Sequence, residues 1–261
     1  IKGFRRNLSL KGTAYNLRVL HMALRSLKVA KKYIKEFRPD VVIGCGGYAS
    51  FPVVYAAQKL KIPTAILEVN AYAGVTTKVL SKKADVIMVG FEAARDKIKS
   101  DKVVMTGNPV RADILTANRD EARRTLSPDD KPLILSVWGS LGAEKMNRMM
   151  ADFIALEAKS GEHRLIHAIG SYGYKWMPEL IRERGVNLEK CDNIDVRDYI
   201  YDMANVMSAS DVVLCRAGAA TMAELACMGK PAIIVPSPNV AENHQEKNAR
   251  ALEEKGAAMV L

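Results

Sequence analysis

No run of about 18 apolar residues occurs in the 261-residue chain, so no helical membrane span is expected. The opening Ile1-Lys2-Gly3-Phe4-Arg5-Arg6 has no apolar signal-peptide core, and Ile stands first rather than Met, so the natural amino terminus is expected upstream. Cysteine is scarce: Cys45, Cys191, Cys215 and Cys227 show no metal-ligand spacing, Cys45 and Cys215 fall in strand patterns, and reduced cytosolic thiols are expected. His163 and His167 lie in HRLIHAIG, which reads as a strand with both rings on one face and without the helical geometry of a metal pair. No Asp-x-Asp occurs, which argues against metal-chelated diphosphate chemistry, and no Gly-x-Ser-x-Gly, which removes the sign of a serine hydrolase. No metal or other cofactor is expected. Low-complexity tracts and repeats at solenoid periods are also missing.

Acidic residues are nearly absent from one end. Residues 1–39 hold 11 Lys/Arg against the single acid Glu36, while the rest of the chain holds 28 of each, so this segment carries the whole net charge of +10. From Thr13 to Phe37 the pattern is helical, with Leu17, Leu20, Leu24, Leu27 and Ile34 on one side. Arg18, Arg25 and Lys32 form another stripe with Lys28 and Lys35 beside it, flanked by Val19, Met22 and Tyr33. A solvated face is the plain reading of such a run. So few acids favour an anionic partner, and without an aromatic-interleaved basic platform lipid headgroups are favoured over nucleic acid.

At 49% hydrophobic the chain can bury a large core, and its length favours two domains. Strand patterns at Asp40–Ile43, Thr64–Leu67, Asp85–Val89, Val103–Met105, Leu133–Val137, Arg164–Ile169 and from Ala257 alternate with helical stretches, one after Pro52 and one from Ala143. Gly107-Asn108-Pro109 is a plausible hinge, and Ser127–Pro132 is a second polar break. Alternating elements with continuous apolar strands predict α/β architecture with parallel, doubly wound sheets. The organising stretch is Asp211–Pro236. Val212–Cys215 is a buried strand, Arg216–Thr221 a tight turn of small residues, and Met222–Met228 a helix closed by Gly229. Ala232–Val235 is a second strand. Such a unit aims the free amides of a helix start at the carboxyl end of a sheet, a ready anion site. Glu224, one turn in, could accept two hydrogen bonds from a ribose diol or simply favour the helix dipole. Gly44–Gly47 and Gly139-Ser140-Leu141-Gly142 are further glycine-rich turns after strands. The second opens a helix and offers a hydroxyl, but lacks the P-loop lysine and the full Gly-x-Gly-x-x-Gly spacing.

The stretches PDVVIGCGGYASFP, LEVNAYAGVTTK, GNPVR, GSLGA, DYIYDM, CRAGAATMAEL and PSPNVAENHQEKNA follow one another through nearly the whole chain. In that order they resemble the MurG family, bacterial transferases that add N-acetylglucosamine to lipid I (undecaprenyl-pyrophosphoryl-N-acetylmuramoyl-pentapeptide) to make lipid II. The resemblance implies a GT-B fold, two Rossmann-like doubly wound domains facing across a cleft. Residues 1–110 would form the acceptor- and membrane-facing domain and residues 111–261 the UDP-sugar domain. It implies an inverting, metal-independent transfer by a peripheral enzyme on the cytoplasmic face of the bacterial membrane. The expected partners are UDP-N-acetylglucosamine, lipid I and anionic inner-leaflet lipid, with no nucleic acid.

The resemblance also assigns residues. Glu224 matches the carboxylate on the ribose hydroxyls, Ala219, Ala220 and Thr221 the turn around the diphosphate, and Ser140 a phosphate-contacting serine. Ile200 and Met203 match the uracil contacts, and Gln245 with Asn248 the groups on the sugar hydroxyls. Arg111 matches a basic residue at the domain junction, and Asn70, counted with the donor contacts, an asparagine on the acceptor side of the cleft. Gly46, Gly47 and Tyr48 fall on the acceptor side, and the basic helix (Arg18, Arg25, Lys28, Lys32, Lys35) on the membrane-facing patch. The family's first glycine loop, GGTGGH, with the histidine proposed as catalytic, is expected upstream of Ile1, so no catalytic residue is assigned and the first domain is expected to be incomplete. The family's HEQN stands here as Leu67-Glu68-Val69-Asn70. Its closing helix is expected beyond Leu261. Another GT-B enzyme, such as a glycolipid glucosyltransferase or UDP-sugar 2-epimerase, or a noncatalytic UDP- or lipid-binding fragment, remains the alternative.

Overall fold

Short apolar strands need helices to cover both faces; in the computed structural model, which describes residues 10–261, β-strand residues of the second unit are largely buried, whereas Ile43, Val86, Val104 and Met105 of the first stay exposed. The chain divides into two compact units, residues 1–108 and 109–261. The first contains α1 (Leu10–Phe37), β1 (Val42–Gly44), α2 (Gly47–Lys59), β2 (Thr64–Glu68), α3 (Val75–Leu80), β3 (Val86–Val89), α4 (Glu92–Arg95) and β4 (Val103–Met105). Its strands pair in parallel in the order β1-β2-β3-β4. Val54, Ile66, Leu80, Ile87 and Val89 form its core.

The second unit contains α5 (Ala112–Thr116), α6 (Arg119–Leu126), β5 (Leu133–Val137), α7 (Glu144–Ser160), β6 (Arg164–Ala168), α8 (Met177–Glu183), β7 (Ile194–Arg197), α9 (Met203–Ala209), β8 (Val212–Cys215), α10 (Ala219–Met228), β9 (Ala232–Ile234), α11 (His244–Glu253) and β10 (Ala258–Val260). The order is β10-β9-β8-β5-β6-β7, all parallel, with Val137 opposite Cys215 at the last β5–β8 pair. The strand order reverses between β5 and β8, so the crevice beyond their carboxyl ends is the natural ligand position of a doubly wound sheet.

Several expectations need correction. The helix read from Met222 begins at Ala219, with Gly218 as its N-cap. Alanine suits a tight turn by size but is also the best helix former, and that preference decides here. The helix read after Pro52 begins at Gly47 and contains Pro52 as its sixth residue; the ring has no N–H to donate to the Tyr48 carbonyl one turn back, so the helix gives up one internal hydrogen bond there. In α1, Val19, Ala30 and Ile34 are buried whereas Leu17 and Leu24 are 63% and 55% exposed. The Leu20 side chain lies outside the described residues. Ala30 and Ile34 pack on Ala56 and Ala57 of α2, so the helices meet on small residues that a search for large apolar side chains passes over. Cys45 is exposed in the turn after β1, not in a strand, whereas Cys215 is buried in β8 and its thiol is pushed up to about 12. His163 precedes β6, and its Nδ1 lies 3.1 Å from buried Glu157 Oε2, while His167 is wholly buried within the strand.

Candidate active site

In the second unit, the turns leaving β5 and β8 open onto a cavity of about 990 Å³. Arg111, Ser140, Ile200, Met203, Thr221, Glu224 and Gln245 all line it, so residues spread over more than 130 positions converge at the switch point of one sheet. Gly218 caps α10 without a side-chain hydrogen bond, which leaves the first amides of the helix unpaired by any cap. Ala219 and Ala220 form that first turn but do not contribute to the lining.

Glu224 lies one turn into α10, and its Oε1 accepts from Arg111 Nε at 3.3 Å. Gln245, from α11, is oriented from the opposite wall: its Oε1 accepts from the Ser237 amide at 2.8 Å, so its Nε2 is the end left to donate elsewhere. Asn248 is fully buried and does not line the cavity; its Nδ2 donates to the Ala217 carbonyl at 3.1 Å and so supports the β8–α10 turn from below. The segment between β7 and α9 brings Asp198, Tyr199, Ile200 and Met203 to the cavity. It is braced by Arg197, whose guanidinium reaches Asp195 at 2.7 Å and Asp202 at 3.1 Å.

Trp138 and Arg216, which no motif in the sequence marks as site residues, also line the cavity. Trp138 is almost buried, and Arg216 stacks on it at 5.7 Å while donating to the Val235 and Pro236 carbonyls at 2.9 and 3.0 Å. Burial lowers the Arg216 pKa without threatening its charge. Below them Trp138 Nε1 donates to Ser136 Oγ, which lies 2.9 Å from His167 Nδ1. Burial pushes the His167 pKa down to about 4, so the ring is neutral near pH 7. A lone Arg between a buried strand and a helix start was the available signal for Arg216. Lys145 and Arg148, early in α7, add two further cations to the lining. The cavity therefore sets cations and free helix amides beside the carboxylates of Glu144, Asp198 and Glu224 and an apolar wall, a set able to hold an anion and a planar heterocycle together.

The other named residues belong to the first unit. Gly46 and Gly47 take φ of +81° and +71°, which lets the chain turn sharply from β1 into α2, and Tyr48 stands exposed beside them. Asn70 follows β2, whose last residue, Glu68, stands in the Leu67–Asn70 stretch without an assigned role. That carboxylate is buried and accepts from the Asn70 amide, Asn70 Nδ2, the Gly74 amide and Thr77 Oγ1, at 3.1, 3.3, 2.9 and 2.6 Å. Glu68 thus shapes the loop that presents Asn70. Among the described residues no cluster could hold a metal ion, and no helix is long and apolar enough to cross a membrane.

Residues 3–89 match the glycosyltransferase family 28 N-terminal domain and residues 133–261 its C-terminal domain. The UDP-N-acetylglucosamine--N-acetylmuramyl-(pentapeptide) pyrophosphoryl-undecaprenol N-acetylglucosamine transferase of Acetivibrio thermocellus is 43% identical, over 100% of this chain and 69% of that protein. The enzyme of the same name from Desulforamulus reducens is 42% identical, over 100% and 70%. The crystal structure of Acinetobacter baumannii MurG matches with a TM-score of 0.70 at 30% identity, over 100% of this chain and 69% of that one. A UDP-GlcNAc 2-epimerase from Neisseria meningitidis (TM-score 0.64, 17% identity, 98% and 70% covered) shares the fold alone. Two parallel-sheet Rossmann-like units, matched in order to these domains, define a GT-B glycosyltransferase. Within that class the chain belongs to the MurG family.

Proposed function

We infer that the protein is a hexosyltransferase that moves N-acetylglucosamine from UDP-N-acetylglucosamine to lipid I, forming lipid II for peptidoglycan. The observation that carries this reading is the convergence of Ser140, Ile200, Met203, Thr221, Glu224 and Gln245 on one cavity at the sheet switch point. In this reading the amides of Ala219, Ala220 and Thr221 and the Ser140 hydroxyl hold the diphosphate. Glu224 accepts from the ribose diol, the backbone at Ile200 reads the uracil edge, and Met203 packs against its face. Gln245 Nε2 donates to the sugar, and Asn248 keeps the β8–α10 turn in place. The acceptor's sugar hydroxyl oxygen attacks C1 from the face opposite the leaving group. The new C1–O bond forms as the bond to the phosphate oxygen breaks, configuration inverts, UDP departs with the electron pair, and the hydroxyl proton is released to water. Arg111 and Arg216, with the helix amides, stabilise the charge that develops on it, with no metal required. On the acceptor side, Gly46, Gly47, Tyr48 and Asn70 face lipid I in the first unit.

The same reading places the protein peripherally on the cytoplasmic leaflet. Arg18, Arg25, Lys28, Lys32 and Lys35 are all exposed on α1. Met22, Val29 and Tyr33 are exposed too, and with Pro52 and Val53 of α2 they line a shallow apolar groove. Basic side chains beside exposed apolar ones suit anionic headgroups over acyl chains. Calorimetry with UDP and ADP tests the donor assignment. A wrong base leaves backbone groups at Ile200 unpaired, so UDP should bind at least about tenfold more tightly. Equal affinities would overturn it.

A further inference from the structure

Three loops leave the carboxyl ends of β5, β6 and β7, and the middle one has no role in the reading above. It runs Gly170-Ser171-Tyr172-Gly173 and is laced to both neighbours through its backbone. The Ser171 and Tyr172 amides donate to the Ser140 and Leu141 carbonyls, each at 3.1 Å, and the Gly170 amide donates to the Asp198 carbonyl at 3.1 Å. The approach leaves no room for side chains. A Cβ on Gly170 would strike the backbone of Leu141 and Gly142, and one on Gly142 would strike the Ile169 carbonyl. Both glycines also hold φ of +77°.

Asn147 of α7 lies beneath this junction, almost fully buried. Its Nδ2 donates to the Ile169 carbonyl at 2.7 Å, and a Cβ on Gly173 would strike the Ile169 side chain and then this same Nδ2 at 2.6 Å. Its Oδ1 is buried with no hydrogen-bond partner. An unpaired buried acceptor costs stability, so stability alone does not account for an amide at this position. What the amide supplies is a donor that fixes the end of β6, from which the middle loop departs.

We propose that residues 170–173, pinned by Asn147, form a clasp that fixes the distance between the Ser140 turn and the Asp198–Met203 segment. The clasp holds the diphosphate end and the base end of one nucleotide in register. Asn147 is a positioning residue, since it touches neither end. This rests on the donor assignment above, in which those two segments take the diphosphate and the uracil. A displacement of about 1 Å in such a frame takes a hydrogen bond at one end out of range whenever the other end is seated, which weakens a ligand that spans both. It costs little for a ligand that meets only one end.

The test is the affinity gain of UDP over uridine, measured by calorimetry on the wild-type protein and on Asn147→Asp. That variant keeps the shape but turns an oxygen toward the Ile169 carbonyl. We expect uridine affinity to hold within about twofold while the UDP-over-uridine gain falls at least about tenfold. In turnover the KM for UDP-N-acetylglucosamine should rise more than kcat falls. Tyr172→Pro, which deletes one cross-loop donor beneath an exposed side chain, gives a second variant should Asn147→Asp fail to fold. A folded variant of either kind with an unchanged gain, or with both ligands weakened equally, overturns the clasp. A wild-type protein that does not prefer UDP to ADP overturns the donor assignment instead.

Discussion

At the scale of single residues, the donor site turns on Glu224. Charge-assisted hydrogen bonds to a ribose diol are worth about 1.5–3 kcal/mol, so Glu224→Ala should weaken UDP by roughly ten- to a hundredfold. Unchanged UDP affinity in a folded variant would remove Glu224 from the site. His167 makes a different prediction. Its folded pKa, about 4, lies below the ordinary 6.5 because burial disfavours the charged ring. Between those values the unfolded chain binds more protons, so stability is fully present above pH 6.5 and is lost as pH falls through 4. The loss attributable to this ring is on the order of 3 kcal/mol. Urea unfolding from pH 7 to pH 4.5 should show it, and His167→Gln, though less stable at pH 7, should show a flatter dependence. An equally steep slope in the variant would assign the acid sensitivity to other groups.

At the scale of elements, α1 makes the membrane prediction. Each Lys or Arg near an anionic surface contributes about 1 kcal/mol. Replacing Arg18, Arg25 and Lys32 by Glu should therefore abolish co-sedimentation with phosphatidylserine vesicles at physiological salt and leave UDP affinity unchanged. Binding that survives the triple change would make the stripe a solvated face. The same helix shows why part of the fold was illegible. Its basic stripe could be read because charge marks the wet side directly. Its buried stripe could not, because Ala30 against Ala56 and Ala57 is a contact defined by small size. Strands β5 and β8 were legible from their apolar runs, Leu133–Leu135 and Val212–Cys215. Strand β7 was missed because Asp195 and Arg197 alternate with Ile194 and Val196 at the edge of the sheet, which breaks the run. In the site, Ser140, Thr221 and Glu224 could be found because glycine-rich turns after apolar strands announce helix starts. Trp138 and Arg216 could not, since their placement depends on how β5, β8 and β9 come together.

At the scale of the molecule, the second unit brings to one cavity what the sequence spreads from Arg111 to Gln245. Binding UDP should therefore slow amide exchange together at residues 139–142, 198–203 and 218–221. Slowing at only one of these segments would mean that the nucleotide lies elsewhere. Transfer from a UDP-sugar to a lipid-linked acceptor is best tested by following the sugar itself. The whole protein is incubated with lipid I and UDP-N-acetylglucosamine radiolabelled in the sugar, and the lipid fraction and nucleotide are both quantified. Label should enter the lipid fraction as lipid II, with one UDP released for each sugar transferred and with UDP-glucose far less effective. Label that stays on the nucleotide, or that leaves it as a free or epimerised sugar, would contradict it.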